Sequence, residues 1–540
     1  MLSAFEINDL CFSHTSTPLL ESITFSVDDG ERACLIGPNG CGKSTLLDLV
    51  RGTLDPESGS VQIRVTQLAT LSPPVNSNQT VGSYLDIALH NLRKIESRFS
   101  TVTAALAETT DSPQLAVEYD ALLAAMTTHD IWSLDARINE TLAGLGIDQL
   151  TGDGQNRSLS TLSPGQVGRL ELAATLLANP EVLILDEPTN HLDQEAVEFL
   201  TELLLAHPGP LLMASHDRKF VDAVATVIYD LDIAPWQAIA TATGTGALHG
   251  IYRCSGTYSD YLVAKQHARA THQQLHGEQQ TTKRNLKLHR RESSSIAHGG
   301  VRLAEAQGMA RKFFADRAAA TATRRTRSDD HRLRELEAHE VRRPREYELQ
   351  LSLHAVRSRT GLAVMARAAE VRGRLSSTTF DLAHGESLLV TGTNGSGKST
   401  LLTWLAQGTA PGEASGTLTV AGHLAAVPQR LPQLGDVGFG RTVWRNGIGE
   451  LGAGVLHPSM WNTPISSLSE GNQRRAQLAV AISQQPEILI VDEPTNYLDL
   501  DTIEALEAAF FEWNGTLVVA THDRWLIEKW AGMRIDLQLP

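Results

Sequence analysis

Four cysteines in 540 residues leave little thiol chemistry to consider. Cys11, Cys34, Cys41 and Cys254 form no C-x-x-C pair and no cluster suited to zinc or iron–sulfur, so they read as small buried or incidental residues. Long hydrophobic runs are also missing. No stretch approaches the roughly 18–20 apolar residues of a membrane-spanning helix, and the first residues lack a basic-then-apolar leader pattern. The expectation is a soluble, cytoplasmic protein with no membrane segment of its own. Positive charge is scarce as well: the net charge is −16, which taken alone argues against a nucleic-acid partner. The deficit is uneven, however. From Tyr252 to Arg345 there are 20 Lys and Arg against 10 Asp and Glu, leaving 26 against 52 elsewhere. A cationic segment between two acidic bodies points to one dedicated polyanion-contacting element.

The chain does contain the stretch Gly37-Pro38-Asn39-Gly40-Cys41-Gly42-Lys43-Ser44-Thr45, and it contains it again as Gly392-Thr393-Asn394-Gly395-Ser396-Gly397-Lys398-Ser399-Thr400. Both fit the phosphate-binding loop G-x-x-x-x-G-K-[ST], whose glycines let backbone N–H groups close around a phosphate. Each follows an apolar strand-like run and opens a helix-like one, where unpaired donors and the helix dipole favour anions. The molecule is therefore built twice. Lys43 and Lys398 are placed to hold the β- and γ-phosphates of a nucleotide, with the Ser44 and Ser399 hydroxyls on Mg²⁺.

Other elements repeat in step. Leu162-Ser163-Pro164-Gly165-Gln166 and Leu468-Ser469-Glu470-Gly471-Asn472 each precede a helical run, and the spacing from Ser163 to Asp186 and from Ser469 to Asp492 is 23 residues in both halves. From Asp186 to His216, and from Asp492 to His522, it is 30 in both. Asp186 and Asp492 end apolar strands and can bind the metal directly or through water, while Glu187 and Glu493 follow them, placed to polarise the water that attacks the γ-phosphorus. His216 and His522 end a second strand and can bond the γ-phosphate or fix that water. Ser163 with Gly165, and Ser469 with Gly471, form a second anion-receptive helix start that the phosphate loop of the same half does not need. Each is therefore expected to serve the other half. Phe12, 31 residues before Lys43, can stack on a nucleobase or belong to the core.

The halves differ in one place. Lys43 precedes Ser163 by 120 residues and Lys398 precedes Ser469 by 71, so the first half carries 49 extra residues, expected as a helical arm at about 86–135. The domain division is then 1–250, a first nucleotide-binding domain; 251–345, a basic helical linker; and 346–540, a second nucleotide-binding domain. In the linker, two long polar helices at about 258–292 and 301–341 flank Ser293–Gly300, whose serines and paired glycines predict the turn of a helical hairpin. Its basic clusters are Lys283-Arg284, Lys287, Arg290-Arg291 and Arg324-Arg325-Arg327.

Together the phosphate loops, the two Ser-x-Gly signatures, the Asp-Glu pairs, the segments Asn190-His191-Leu192-Asp193 and Asn496-Tyr497-Leu498-Asp499, and the two histidines resemble ATP-binding cassette proteins. With two cassettes, a basic connector and Gly256-Thr257-Tyr258-Ser259-Asp260-Tyr261 at its start, the chain is similar to the F subfamily. The resemblance covers essentially the whole chain. It implies an α/β fold of two tandem cassette domains joined by a helical hairpin, and an ATPase that converts ATP and water to ADP and phosphate. It implies a head-to-tail sandwich within a monomer, one ATP between Lys43 and Ser469, the other between Lys398 and Ser163, and it gives Gln67 and Gln429 a place beside the metal. Gly37, Asn39, Gly40, Gly42, Thr45, Gln166, Gly392, Asn394, Gly395, Gly397, Thr400 and Asn472 complete the nucleotide-contacting set. It further implies binding to the ribosomal exit site, with the hairpin contacting ribosomal RNA and P-site transfer RNA near the peptidyl-transferase centre, for antibiotic protection or for tuning translation. The rival reading is the ATP-binding subunit of a transporter with a separate membrane partner. Signature one carries Pro164 where glycine is usual, signature two ends in Asn472, and before the second loop stand Arg367, Arg372 and Arg374 with no aromatic residue.

Overall fold

The computed structural model describes residues 3–14, 18–63, 79–108, 112–190, 192–244, 248–304, 309–344, 353, 359–393 and 395–540, with side chains between 293 and 323 described only at Arg317 and Ala320. Each half carries a predominantly parallel five-stranded sheet. In the first half the spatial order is Leu183–Asp186, Leu211–Ala214, Arg32–Ile36, Val227–Asp230 and an antiparallel edge, Tyr252–Ser255. In the second half it is Leu424–Val427, Ile488–Asp492, Thr516–Ala520, Ser387–Gly392 and Met533–Leu537, all parallel. These strands read as unbroken apolar runs because both faces are buried. On Arg32–Ile36, Cys34 and Ile36 pack into the helical side of the core. Ala33 and Leu35 pack against a small antiparallel sheet whose strands are Leu20–Asp28, Ser3–Phe12 and Ser58–Ile63. The second half repeats this sandwich, Leu389 facing the helices and Leu388 with Val390 facing Leu375–Ala383, Leu362–Val371 and Ala414–Val420.

The surplus of the first half is helical. His90–Glu108 and Pro113–Thr128 lie side by side, joined by a Phe99–Tyr119 stack at 5.3 Å and an Arg98–Glu118 ion pair at 2.6 Å. The second half has only the short helix Arg441–Asn446 and single helical turns between Gln429 and Ser469.

The connector corrects one expectation. Its first helix runs from Tyr258 to Ala304, straight through Ser293–Gly300, and its second from Met309 to Ala338. Contacts between the two helices fix why. Gln279 Nε2 donates to His339 O at 2.8 Å, His289 Nδ1 meets Asp329 Oδ2 at 2.7 Å, and Arg290 Nε meets Asp330 Oδ1 at 3.1 Å. The midpoints of these antiparallel pairs all fall near residue 309, so the two helices are paired about a point beyond the serine–glycine stretch; residues 305–308 lie outside the described set. Two glycines cost a helix only about 1 kcal/mol each. Pairing along two long helices outweighs that penalty. Gln67 and Asn394 also lie outside the described residues.

Candidate functional site

Both phosphate loops sit between a central strand and a helix, Lys43–Arg51 in one half and Lys398–Gln407 in the other. Gly42 and Gly397 close the loops at φ +98° and +97°, a left-handed backbone open to glycine. A Cβ at Gly397 would lie 2.3 Å from Arg374 O, and one at Gly42 would lie 2.8 Å from Leu20 Cδ2. Lys43 Nζ donates to Gly37 O at 2.8 Å and Pro38 O at 3.3 Å, and Lys398 Nζ donates to Gly392 O at 2.8 Å and Thr393 O at 3.1 Å. The ammonium groups are thus aimed across the mouths of their own loops.

Behind each loop the carboxylates are paired with the histidines. Glu187 Oε2 accepts from His216 N at 3.2 Å while His216 Nε2 lies 3.2 Å from Glu187 Oε1. In the other half Glu493 Oε2 accepts from His522 N at 3.3 Å and from Thr521 Oγ1 at 3.4 Å. Burial, then the neighbouring Asp186 charge, pushes the Glu187 carboxyl up to about 8. Burial and Asp492 push Glu493 up to about 7. The histidines move the other way: burial and the nearby Lys43 ammonium lower His216 to about 3, and burial with Lys398 lowers His522 to about 4. Both imidazoles are therefore neutral near pH 7, so their contacts with the glutamates are not ion pairs. Glu187 and Glu493 also hold left-handed backbone at φ 45° and 48°, rare for a residue with a Cβ and concentrated at functional sites. Asp492 is buried, its Oδ1 has no partner among the described residues, and burial pushes its carboxyl above the usual carboxylate range, a hydrogen bond from Ser399 offsetting only part of that rise. An orphaned carboxylate oxygen beside a hydroxyl fits a hard divalent cation.

The two halves face each other across a cavity of about 1570 Å³. That exceeds the roughly 300–1,000 Å³ usual for one small ligand. Asn39 Nδ2 donates to Tyr497 O at 2.6 Å and Asn39 N to Asp499 Oδ2 at 3.2 Å, and a Cβ on Gly471 would lie 2.5 Å from Asn39 Nδ2. The first phosphate loop is thus seated on the second half's signature helix and on the segment after Glu493. Reciprocally, Asp499 acts electrostatically on His216, and Asp193 on His522.

Of the residues singled out from the sequence, Asn39, Gly40, Gly42, Lys43, Ser44, Thr45, Gly165, Glu187 and His216 line the cavity from the first half. Gly395, Gly397, Lys398, Ser399, Thr400, Gln429, Ser469, Gly471, Glu493 and His522 line it from the second. Gly37, Gly392, Asp186 and Asp492 stand at the strand ends behind this wall. Three more of these residues stand off the cavity wall. Phe12 is only 9% exposed and packs in the small-sheet core, edge-on to His14 at 4.9 Å; the ring beside the loop is His14, whose Nε2 lies 3.4 Å from Thr45 Oγ1. Gln166 is turned back on its own helix: Ser163 N donates to Gln166 Oε1 at 2.9 Å and Gln166 N to Ser163 Oγ at 3.3 Å, a reciprocal capping box. Asn472 contributes its backbone N–H to the Ser469 cap at 3.4 Å, and its side chain is not on the cavity wall. Of the three arginines before the second loop, Arg367 is clamped by Asp381 at 2.6 and 2.7 Å, and strand register makes buried Val371 the counterpart of Phe12; Arg374 lines the cavity.

Sequence reasoning did not find Arg474. It is fully buried in the second signature helix and donates to Asp492 O at 2.6 Å, Glu493 O at 2.9 Å and Pro428 O, tying that helix to the carboxylate strand and to the approach of Gln429. Its counterpart in the first half is Gly168, so the repeat gave no signal.

The ABC transporter family model matches residues 20–190 and 375–496. The tylosin resistance ATP-binding protein TlrC of Streptomyces fradiae is 32% identical over 96% of this chain and 94% of its own length. The energy-dependent translational throttle protein EttA of Mycobacterium tuberculosis is 27% identical over 96% of this chain and 88% of its own. Among solved structures, archaeal ribosome recycling factor aABCE1 in complex with ribosomal stalk protein aP1 covers 96% of this chain and 85% of that one, with 15% identity and a TM-score of 0.50, a likeness of fold alone.

Proposed function

The chain belongs to the ATP-binding cassette family and to its F subfamily and is an ATPase, and from that premise we propose that it acts on the ribosome, docking at the exit site with its cassettes closed on ATP. The single observation that carries this reading is the connector. A helix of 47 residues spans about 70 Å at 1.5 Å per residue. It returns along a 30-residue partner and joins two cassettes that need no such arm to hydrolyse ATP. Exposed Arg284, Lys287, Arg324, Arg325 and Arg327 stud the pair, the chemistry for nucleic-acid phosphates rather than for reading sequence. The names of two relatives, one a tylosin resistance protein and one a translational throttle, support a role in drug protection or in tuning translation; in this reading the hairpin exerts it on P-site transfer RNA.

In this reading one ATP lies between Lys43 and Ser469 and the other between Lys398 and the helix start at Ser163 and Gly165. Magnesium would be held by Ser44 with Asp186 and by Ser399 with Asp492, Gln429 standing on the cavity wall nearby, and would neutralise phosphate charge when bound. Glu187 and Glu493 accept the proton of the attacking water, and neutral His216 and His522 hold those carboxylates and the γ-phosphate in line. The test is sedimentation of the Glu187→Gln, Glu493→Gln protein with purified ribosomes. ATP-dependent cosedimentation that weakens as salt rises is the expected result. No cosedimentation under any nucleotide would favour a transport subunit with a separate membrane partner, and unimpaired turnover in the double variant would refute the carboxylate roles.

A further inference from the structure

Lys265 is a fully charged side chain with only 4% exposure, two turns into the connector's first helix. Its Nζ lies 3.4 Å from Asp230 Oδ2 of the first cassette and 3.4 Å from Asp501 Oδ1 of the second. One turn further on, Arg269 Nη2 meets Asp501 Oδ2 at 2.6 Å. Both carboxylates lead directly to one ATP site. Asp230 pairs with Ile36, the residue before the first phosphate loop, and the next residue, Leu231, packs where a Cβ on Gly37 would come within 3.2 Å. Asp501 stands in the first turn of helix Leu500–Glu512, whose cap Asp499 accepts from Asn39 N of that same loop. The connector therefore grips both walls of the site formed by Lys43 and Ser469.

The repeat supplies an internal control. Asp536, which occupies the place of Asp230 beside the second phosphate loop, is exposed and bonded to Thr391 Oγ1 at 3.0 Å and to Gln538. Glu195, the counterpart of Asp501, is also exposed. Among the described residues, neither is reached by a connector side chain. We propose that Lys265, supported by Arg269, is a positioning residue for one of the two ATP sites only, and that through it the orientation of the connector sets the closure of that site. The assignment rests on the pairing of Lys43 with Ser469 given above. A cation carried on one element and held between carboxylates from two others has an equilibrium position only where all three elements agree, so a displaced connector pulls Asp501, and with it Asp499, away from Asn39.

The experiment separates the sites. In a Glu493→Gln background, where turnover is left to Glu187, Lys265→Met should lower kcat by roughly fivefold to tenfold with little change in KM. In a Glu187→Gln background the same substitution should leave turnover unchanged, and Lys265→Arg should restore most of the loss in the first. Asp501→Asn should mimic Lys265→Met without adding to it. Equal losses in both backgrounds would mark Lys265 as a general structural residue and overturn the proposal, as would no loss in either. Repeating the comparison in Lys398→Ala and Lys43→Ala proteins, which weaken phosphate binding at one site each, reads the same asymmetry even if the carboxylate assignment fails.

Discussion

Glu187 and Glu493 pay twice for their positions, in left-handed backbone costing about 1–3 kcal/mol each and in buried charge. Their raised pKa values have opposite consequences for activity and stability. A base must be ionised, so kcat/KM of the Glu493→Gln protein, which reports Glu187, should rise with pH through about 8. That of the Glu187→Gln protein should rise through about 7. Folding prefers the protonated form, because the folded carboxyl binds its proton more tightly than the unfolded one at 4.5. The stability each group contributes is present below that unfolded value and is lost as pH climbs through the folded one. Calorimetry should therefore find Glu187→Gln more stable than the parent on the alkaline side of pH 8 and indistinguishable near pH 4.5. Coincident pH–rate profiles for the two single variants would rule out the difference in environment. At this scale the sequence exposed residues whose role depends on neighbours in the chain: lysine and serine in a loop, glutamate after a strand. It hid Arg474 and Lys265, because ordinary basic residues in helices become special only through what tertiary packing brings against them. The aromatic at position 12 stayed open between base and core for the same reason, and strand pairing packs Phe12 in the core and leaves His14 beside the loop.

Elements were legible wherever both local chemistry and pattern agreed. The signature helices begin at Ser163 and Ser469 because serine oxygens accept the third N–H of each helix, and Pro164 suits the first turn. The apolar runs before Asp186 and Asp492 became central parallel strands. The connector turn was misread because serine and glycine report only a local preference, whereas helix register, set by partners forty or more residues away, decides where the chain reverses. This makes an opposite prediction for glycine replacement. If residues 293–300 formed a turn, Gly299→Ala with Gly300→Ala would strain it. In a continuous helix each change should stabilise by about 1 kcal/mol, read as a higher urea midpoint for the connector's unfolding and as increased helicity. A lower midpoint would return the turn to Ser293–Gly300.

At the scale of the whole molecule, duplication and the basic insert between its halves were written in spacing and charge, but the angle at which the halves meet was not. That angle is held by charges buried on sequences with no mutual motif. Arg218, 1% exposed, donates to Glu507 and, at 2.9 Å, to Asp523 of the second cassette, and stands 5.5 Å from the Trp525 ring. Its pKa is raised because these two carboxylates more than offset burial. Arg524 reaches back toward Asp217 and Glu198 at 3.8 and 3.9 Å, too exposed and too long to weigh equally. Arg218→Met would leave buried Glu507 with only the more distant Lys529, at 4.0 Å, and breaking one partner of a buried pair costs about 3–5 kcal/mol. The loss falls on the contact between cassettes rather than within either, so their cooperative unfolding should split. Calorimetry should show one transition in the parent and two in Arg218→Met, with Glu507→Gln in the same chain recovering part of the coupling by removing the stranded charge. A single transition merely shifted to lower temperature would place the stabilisation inside the first cassette, and the junction would then rest on other contacts, the connector and Asn39 among them.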